Sequence, residues 1–577
     1  MSIFEIFRMK RKLDETWSKY YKEEELNIKI PNISMYDQVK ISAYKYPNNI
    51  AISYEGKKIY YKDLQKKIDV LANAFYSYGI KKGDIVTICL PNMPEVLYAL
   101  YALNKIGAIA NMLHPLSAEE EIKQSIESTK SRLILFTDMF FDKIENIIEE
   151  TLVEKVLLVS PADSLPKIKN VGYKFKRRGK YKKVPFNDYY LKLNRFISKY
   201  YDKTFELTKR FGANTPAVIL HSGGTSGKQK NVVLQNRAFI LGSKQEKICL
   251  KKLRPGDCCL GIMPNFHGFG LSVCMHTPLT LGCYTILVPK FDAKKFDVLL
   301  KKTKPTCVLG VPTLFEALVS NKNVKKLDLS NLKYIISGGD ILSNKLENKV
   351  NEYLSEHNSS AHITQGYGLS EALAAVTLAY DDVNKPGSVG IPFPSNHVKI
   401  IDPATRKTLK FGETGEIVVH SKALMMGYLN DETETNSSLQ IHEDGHIWLH
   451  TGDLGYMDED GFIFYQGREK RMIITSGYNV YPSHIEEVIE NHPDVLQCTV
   501  VGVPRTYKGN VAKAYVVLKE GRYSLLVKND LKNYCKKNLA RYMVPVDFVF
   551  RKQLPKTKLG KVDFKKLQSD IGSDNDE

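Results

Sequence analysis

The sequence predicts an α/β protein: a large N-terminal domain of mixed and parallel sheets with helices, a β-rich subdomain, and a small α+β unit at the C-terminal end. Three observations carry this. Short apolar strands alternate with helical stretches over residues 34–160 and again from residue 217. The pattern turns to alternating strands with Gly/Asp turns over residues 390–466. A last stretch then carries its own helices and strands.

Taken in order, residues 85–90 (IVTICL) form a buried-strand pattern closed by Pro91. Residues 94–106 have helical apolar spacing, and Gly107 leads into a strand at 108–112. Residues 133–136 and 155–159 continue the series. The second series has strands at 217–220, 285–288, 307–309 and 333–336. The β-rich stretch is punctuated by turns at 412–415, 444–445 and 460–461. The last unit reads as helix 482–491, strands 498–502 and 514–518, and helix 526–538.

Composition sets the class. The chain has 577 residues, 43% hydrophobic and 25% charged, which excludes a disordered or low-complexity protein. The length suits two or three domains. No apolar run approaches the roughly 18 residues of a spanning helix. Near the start, Ile3, Phe4, Ile6 and Phe7 precede Arg8, Lys10, Arg11 and Lys12, the reverse of a signal peptide. Nine scattered cysteines with no Cys-x-x-Cys suggest neither a disulfide framework nor a zinc site, and point to reduced cytoplasm.

The formal charge is +19. Such a surplus suits nucleic acid, anionic lipid, a polyanionic small ligand, or no partner at all. Much of it is local: residues 165–210 hold 15 Lys and Arg against three acids, a surplus of +12, interleaved with Tyr and Phe. This segment reads as a basic insertion, either a solvated surface or a contact for anionic lipid; nucleic acid is disfavoured because no recognition motif accompanies it. Ile3, Phe4, Phe7, Leu13 and Trp17 fit an amphipathic helix lying on a bilayer or packing on the protein itself.

The chemistry begins at residues 220–233 (LHSGGTSGKQKNVV). A strand runs into Ser222, Gly223, Gly224, Thr225, Ser226, Gly227 and Lys228, with a second lysine at Lys230. Glycines let the backbone N–H groups curl towards an anion, hydroxyls add donors, and lysines add charge: a phosphate-cradling loop. It is not a Walker loop, because Ser222 stands where the first glycine would fall and Gln229 replaces the Ser/Thr. The adjacent Cys258 and Cys259 read as small core residues, not a redox pair.

Six stretches follow in a set order: 222–230 (SGGTSGKQK), 264–270 (PNFHGFG), 365–371 (QGYGLSE), 451–455 (TGDLG), 467–482 (GREKRMIITSGYNVYP) and 555–561 (PKTKLGK). In these the chain resembles the adenylate-forming enzymes, especially AMP-forming acyl-CoA synthetases of the fatty-acid and coumarate type, from about residue 33 to residue 567. The resemblance implies an acid–thiol ligase that uses ATP and Mg²⁺ to turn a carboxylic acid, fatty or aryl, into acyl-AMP, with CoA as co-substrate. Close relatives load the phosphopantetheine of an acyl carrier protein or stop at acyl-AMP. A non-catalytic membrane- or polyanion-binding protein on this fold is the reading from another class, and the retained Glu371, Asp453, Arg468 and Lys561 speak against it.

The resemblance assigns roles. Lys561 would bridge the carboxylate and the α-phosphate, and Glu371 would be the Mg²⁺ ligand. Ser370, where Thr is common, would reach a phosphate. Asp453 and Arg468 would hold the ribose; Gly338, Gly339 and Asp340 would contact adenine. Gly366, Tyr367 and Gly368 would border the base or the acyl chain. His267, with Phe266, would gate the acyl pocket, whose walls would come from residues 266–273, 338–340 and 366–376. Lys470 would be the hinge between an N-terminal adenylate-forming domain (1–469) and a mobile C-terminal domain (470–577), whose rotation brings Ser476, Gly477 and Tyr478 to the thiol tunnel. The chain departs from the family pattern at Gln229, where Pro is usual, at Asn231, where Gly is usual, and at Arg471, where Asp often follows the lysine.

Overall fold

The computed structural model describes residues 16–177, 182–204, 209–223, 229–321, 327–475, 478–505, 509–522, 524–556 and 562–570. Two large sheets organise most of the chain. In the eight-stranded sheet, Ile85–Cys89, Ile109–Met112, Leu133–Thr137 and Lys155–Val159 are mutually parallel. The nine-stranded sheet has a parallel centre of Cys258–Gly261, Tyr284–Leu287, Cys307–Gly310, Tyr334–Gly338 and Ile363–Tyr367. Both centres follow from the near-continuous apolar strands of the sequence, which suit burial on both faces.

The helix Pro94–Lys105 is buried at every position from Pro94 to Asn104. An all-round apolar helix needs cover on all sides. It shares one core with the helices Met35–Lys45, Tyr61–Tyr78 and Asn236–Cys249. Trp17 belongs to the same core and is 3% exposed. At this residue the packing alternative holds over the bilayer one; Ile3, Phe4, Phe7 and Leu13 lie outside the described residues.

Part of the basic segment 165–210 is core, not solvated surface: Tyr190–Lys192 extends the eight-stranded sheet beside Lys155–Val159. The helix Leu193–Tyr200 follows, and its buried Phe196 packs 5.7 Å from Phe75 and 5.4 Å from Tyr78, ring centre to ring centre. Over residues 190–200 the pattern is therefore amphipathic: Tyr190, Leu193 and Phe196 turn inward, while Phe186 and Tyr201 on either side are exposed. The helix Lys167–Arg177 remains at the surface, with Ile168 88% and Val171 70% exposed.

The β-rich region is a five-stranded antiparallel sheet built on Asn396–Ile401, Gly415–Ser421 and Ile447–Met457. A short helix, Glu432–Ser438, interrupts the expected all-β run. After Arg471 a separate five-stranded sheet, with Gly509–Leu518 at its centre and Val495–Arg505 paired to it along one edge, carries its own cores. The helix Pro482–Glu490 docks it on the rest: Asn344 donates to Glu487 at 3.2 Å and Lys345 to the Glu490 carbonyl at 2.6 Å. All nine cysteines are buried and unpaired, as read for Cys258 and Cys259.

Candidate active site

The site lies where the nine-stranded sheet meets the β-rich region. Tyr334–Gly338 and Ile363–Tyr367 are parallel neighbours with Gly338 opposite Gly366, so residues 338–340 and 366–371 leave the sheet side by side. Ligand sites form outside the carboxyl ends of such strands. The strand reaches Gly338, so the first glycine of the expected turn closes it. Gly339 turns with φ +80°, a left-handed conformation suited to glycine.

The antiparallel pair Ile447–Met457 and Ile463–Arg468 sets Asp453 opposite Arg468. Asp453, 1% exposed, receives the Tyr367 hydroxyl at 2.7 Å and pairs with Arg468 Nε at 2.9 Å. The Tyr465 hydroxyl reaches it at 3.5 Å. Burial, and then the facing carboxylate, push the Tyr367 phenol well above its ordinary range, so it stays a donor. Tyr367, expected against a base or an acyl chain, is thus held by its hydroxyl to Asp453, and its ring lies 5.8 Å from that of Tyr465.

The turn carrying Asp453 is braced from below. Glu416 Oε1 accepts from the Gly452 amide at 3.0 Å. Its Oε2 contacts His450 Nδ1 at 2.9 Å and Arg406 at 3.1 Å. His450 Nε2 in turn sits 3.0 Å from His442 Nε2. Burial alone would raise the Glu416 carboxyl, but the hydrogen bonds from His450 and Gly452 outweigh it and hold it below the usual carboxylate range.

The phosphate-loop segment is a hairpin, not a strand–loop–helix. Pro216–Gly223 pairs antiparallel with Gln229–Gln235, with Ser222 opposite Lys230 and Gly223 opposite Gln229. Gly224, Thr225, Ser226, Gly227 and Lys228 lie outside the described residues. Lys230 ion-pairs with Glu434 at 2.6 Å and lies 4.7 Å over the Tyr428 ring. The Tyr428 hydroxyl donates to Glu371 Oε1 at 3.0 Å. A chain of contacts thus joins the phosphate-loop strand to the candidate metal ligand.

Glu371 and Ser370 occupy the short turn Ser370–Ala372, tied down by the Met425 amide donating to the Glu371 carbonyl at 2.8 Å. The next residue, Leu373, has φ +70° and ψ −55°, a strained conformation for a branched side chain. Two glycines let this segment fit: a Cβ on Gly368 would stand 1.4 Å from the Ala374 carbonyl oxygen, and one on Gly268 1.7 Å from that of Leu373. His267 Nδ1 accepts from the Phe269 amide at 3.2 Å, and the Phe266 ring lies 4.2 Å from that of His114. No group of three or more His, Cys, Asp or Glu that could hold a metal ion occurs among the described residues. A cation here would rely on Glu371 together with ligand oxygens, the usual habit of Mg²⁺.

Lys470 is exposed in the turn Glu469–Arg471, between the β-rich region and the C-terminal sheet. Arg471 pairs with Glu486 at 2.6 Å and stacks 4.9 Å from the Phe564 ring centre. Tyr478 opens the strand Tyr478–Val480, while Ser476, Gly477 and Lys561 lie outside the described residues. Sequence reasoning missed Tyr465, Tyr428, Glu434 and Glu416. Tyr465 was within reach, three residues before Arg468 on one strand. The other three meet the site only through tertiary contacts.

Comparison with known proteins bears on all of this. A family model described as AMP-binding enzyme matches residues 39–429, and one described as AMP-binding enzyme C-terminal domain matches residues 484–561. The chain is 34% identical over 538 residues to a long-chain-fatty-acid–CoA ligase of Bacillus subtilis, covering 92% of this chain and 94% of that one. It is 29% identical over 506 residues to a probable 4-coumarate–CoA ligase of Dictyostelium discoideum, covering 87% and 88%. Its fold matches an anthranilate CoA ligase in complex with anthranoyl-AMP at a TM-score of 0.81 and 22% identity, covering 95% and 98%. It also matches the Bacillus subtilis o-succinylbenzoate CoA synthetase in complex with ATP and magnesium at 0.74 and 24%, covering 93% and 99%.

Proposed function

The chain belongs to the AMP-binding enzymes, and on that premise we propose that it joins a carboxylic acid to the thiol of CoA at the expense of ATP. In the first step a carboxylate oxygen attacks the α-phosphorus and pyrophosphate leaves, giving acyl-AMP. In the second the CoA sulfur attacks the acyl carbon, AMP leaves, and the thiol proton passes to solvent. The observation that carries this reading is the convergence of Asp453, Arg468 and Tyr367 beside the Glu371 turn and the phosphate-loop hairpin.

Such transfers need positioning and charge neutralisation more than a protein nucleophile. Asp453 would accept from the ribose hydroxyls, with Arg468 adding a donor. Ser222 to Lys230 would cradle the β- and γ-phosphates, and Ser370 would reach a phosphate. Residues 338–340 would border adenine. Glu371 fits Mg²⁺: it is a half-buried hard oxygen donor facing the hairpin through Tyr428. A bound Mg²⁺ would neutralise phosphate charge there. Lys561 would stabilise the charge gathering in the first step.

The relatives named above act on long-chain fatty acids and, by name, 4-coumarate, and we extend the fatty or aryl class to this chain. AMP release with ATP, Mg²⁺, CoA and a panel of fatty and aryl acids tests it. Turnover with at least one acid is expected; none with any acid would sink the reading. Free CoA also separates this reading from loading of a carrier protein.

No helix among the described residues is long and apolar enough to cross a membrane. A reduced, cytoplasmic setting is proposed on the nine unpaired cysteines. Peripheral contact with an anionic bilayer is proposed for the helix Lys167–Arg177, where exposed Ile168 and Val171 stand among lysines. Co-flotation with phosphatidylglycerol vesicles should fall in an Ile168→Ser/Val171→Ser variant; unchanged flotation would dismiss this contact.

A further inference from the structure

The ion pair between Lys230 and Glu434 has no part in the chemistry above, yet it stands where a phosphate is expected. Lys230 is the last residue of the phosphate-loop motif. Its ammonium lies 2.6 Å from Glu434 Oε2, and the lysine side chain is 20% exposed. The same ammonium covers the Tyr428 ring, whose hydroxyl donates to Glu371. A carboxylate oxygen resembles a phosphate oxygen, since both are anionic acceptors for a charge-assisted hydrogen bond. Glu434 therefore occupies, with its own oxygen, the contact that the motif offers to a polyphosphate.

The fold delivers Glu434 to this place. Asp431 caps the helix Glu432–Ser438 by accepting from the Glu434 amide at 3.1 Å. The Thr435 hydroxyl, one residue on, accepts from the Tyr428 amide at 2.9 Å and donates to the Asp431 carbonyl at 2.7 Å. Gly427 passes so close that a Cβ on it would stand 2.7 Å from the Thr435 methyl group. Gly427 and Tyr428 in turn pair antiparallel with Val233 and Val232, on the returning strand of the hairpin. The start of the helix, the strand Gly427–Tyr428 and the hairpin thus pack as one unit, and Glu434 faces Lys230 from a fixed base.

We propose that Glu434 is a positioning residue that competes with phosphate for Lys230: it holds the ammonium in the empty enzyme, ATP displaces it, and it recaptures Lys230 as pyrophosphate leaves. The inference rests on the phosphate-loop part of the ligase reading and adds a control on phosphate affinity. A ligand that needs Lys230 free binds more weakly in proportion to the fraction of time the lysine is free. A partly exposed ion pair lowers that fraction by up to about fivefold. The same factor acts on ATP and on pyrophosphate. Glu434 thereby gives up ground-state affinity, which does not speed the chemical step, and eases departure of the first product.

The test titrates pyrophosphate with Mg²⁺ into the full-length protein by calorimetry, and measures the KM for ATP in AMP release. Glu434→Gln and Glu434→Ala should each bind pyrophosphate about two- to fivefold more tightly than the parent, with a matching fall in the KM for ATP. A pair that merely braces Lys230 predicts the opposite sign, because its loss would loosen the lysine and weaken both ligands. Weaker or unchanged binding of pyrophosphate in both variants therefore overturns the inference and leaves the ligase reading standing. Absence of pyrophosphate binding by the parent and both variants overturns it equally. Pyrophosphate binding needs no acid, so the two readings separate. Tighter binding in the variants without turnover of any acid removes the ligase reading and keeps the competition at Lys230.

Discussion

Asp453 is the residue on which the nucleotide reading turns, because three side chains from two strands point at one buried carboxylate. Asp453→Ala should raise the KM for ATP at least tenfold. Its stability cost should be about 1–3 kcal/mol, below the full penalty of breaking a buried pair, since the Arg468 side chain is 47% exposed and water can serve it. Kinetics and denaturant melts together check this; an unchanged KM with lost stability would make Asp453 purely structural. Farther along the same brace, His442 titrates in a useful window. Burial, then Lys399, His450 and Arg406, opposed by Asp444, lower its pKa from 6.5 to about 4. The folded value lies below the unfolded one, so the stability it contributes is fully present above pH 6.5 and is lost as the pH falls towards 4. His442→Gln should therefore flatten the fall in melting temperature between pH 6.5 and 4. A slope equal to that of the parent protein would refute this role. At this scale the sequence was legible where a motif is contiguous, as in Thr451-Gly452-Asp453. It was silent on Glu416 and Tyr428, which reach the site only by folding.

At the scale of elements, the turn Ser370–Ala372 and the residues after it hold the carboxylate proposed to bind Mg²⁺. Gly368 passes against the Ala374 carbonyl with no room for a side chain, and Leu373 takes a strained left-handed conformation while staying 2% exposed. Strain of that kind persists only where the surroundings over-determine it. Gly368→Ala should force the segment outward, cost about 1–3 kcal/mol or more as overpacking does, and cut adenylate formation more than a hundredfold by moving Glu371. Pyrophosphate exchange on the folded variant measures this, and near-normal exchange would show that the close approach does not aim Glu371. The strands and helices were readable because their periodicity is strong. The misread element was the strand and helix Tyr190–Tyr200, where lysines and arginines mask an inward row of Tyr190, Leu193 and Phe196. Charge density on an amphipathic element says little about whether its other face is core. The hairpin form of the phosphate loop was also beyond reading, since composition reports an anion-binding curl without the direction of the returning strand.

At the scale of the whole molecule, two bodies meet at a charged turn. The C-terminal sheet has its own cores, and the described contacts tying it to the rest include the Asn344–Glu487 and Lys345–Glu490 hydrogen bonds and the Gln466 carbonyl that accepts from Ser483. Such polar contacts resemble a transient interface, across which relative motion is the default. We propose that rotation about Lys470 serves the second half-reaction and leaves the first untouched. Proline at this position fixes φ near −65° and restricts Glu469 before it, stiffening the turn Glu469–Arg471 without removing the Arg471–Glu486 pair. Lys470→Pro should keep ATP–pyrophosphate exchange within a fewfold of the parent and lower thioester formation at least a hundredfold, while Lys470→Ala, which keeps the turn free, should retain both. Equal loss of both half-reactions in the proline variant would remove the hinge from Lys470. Loss of thioester formation in the alanine variant alone would assign the role to the ammonium group instead of the backbone.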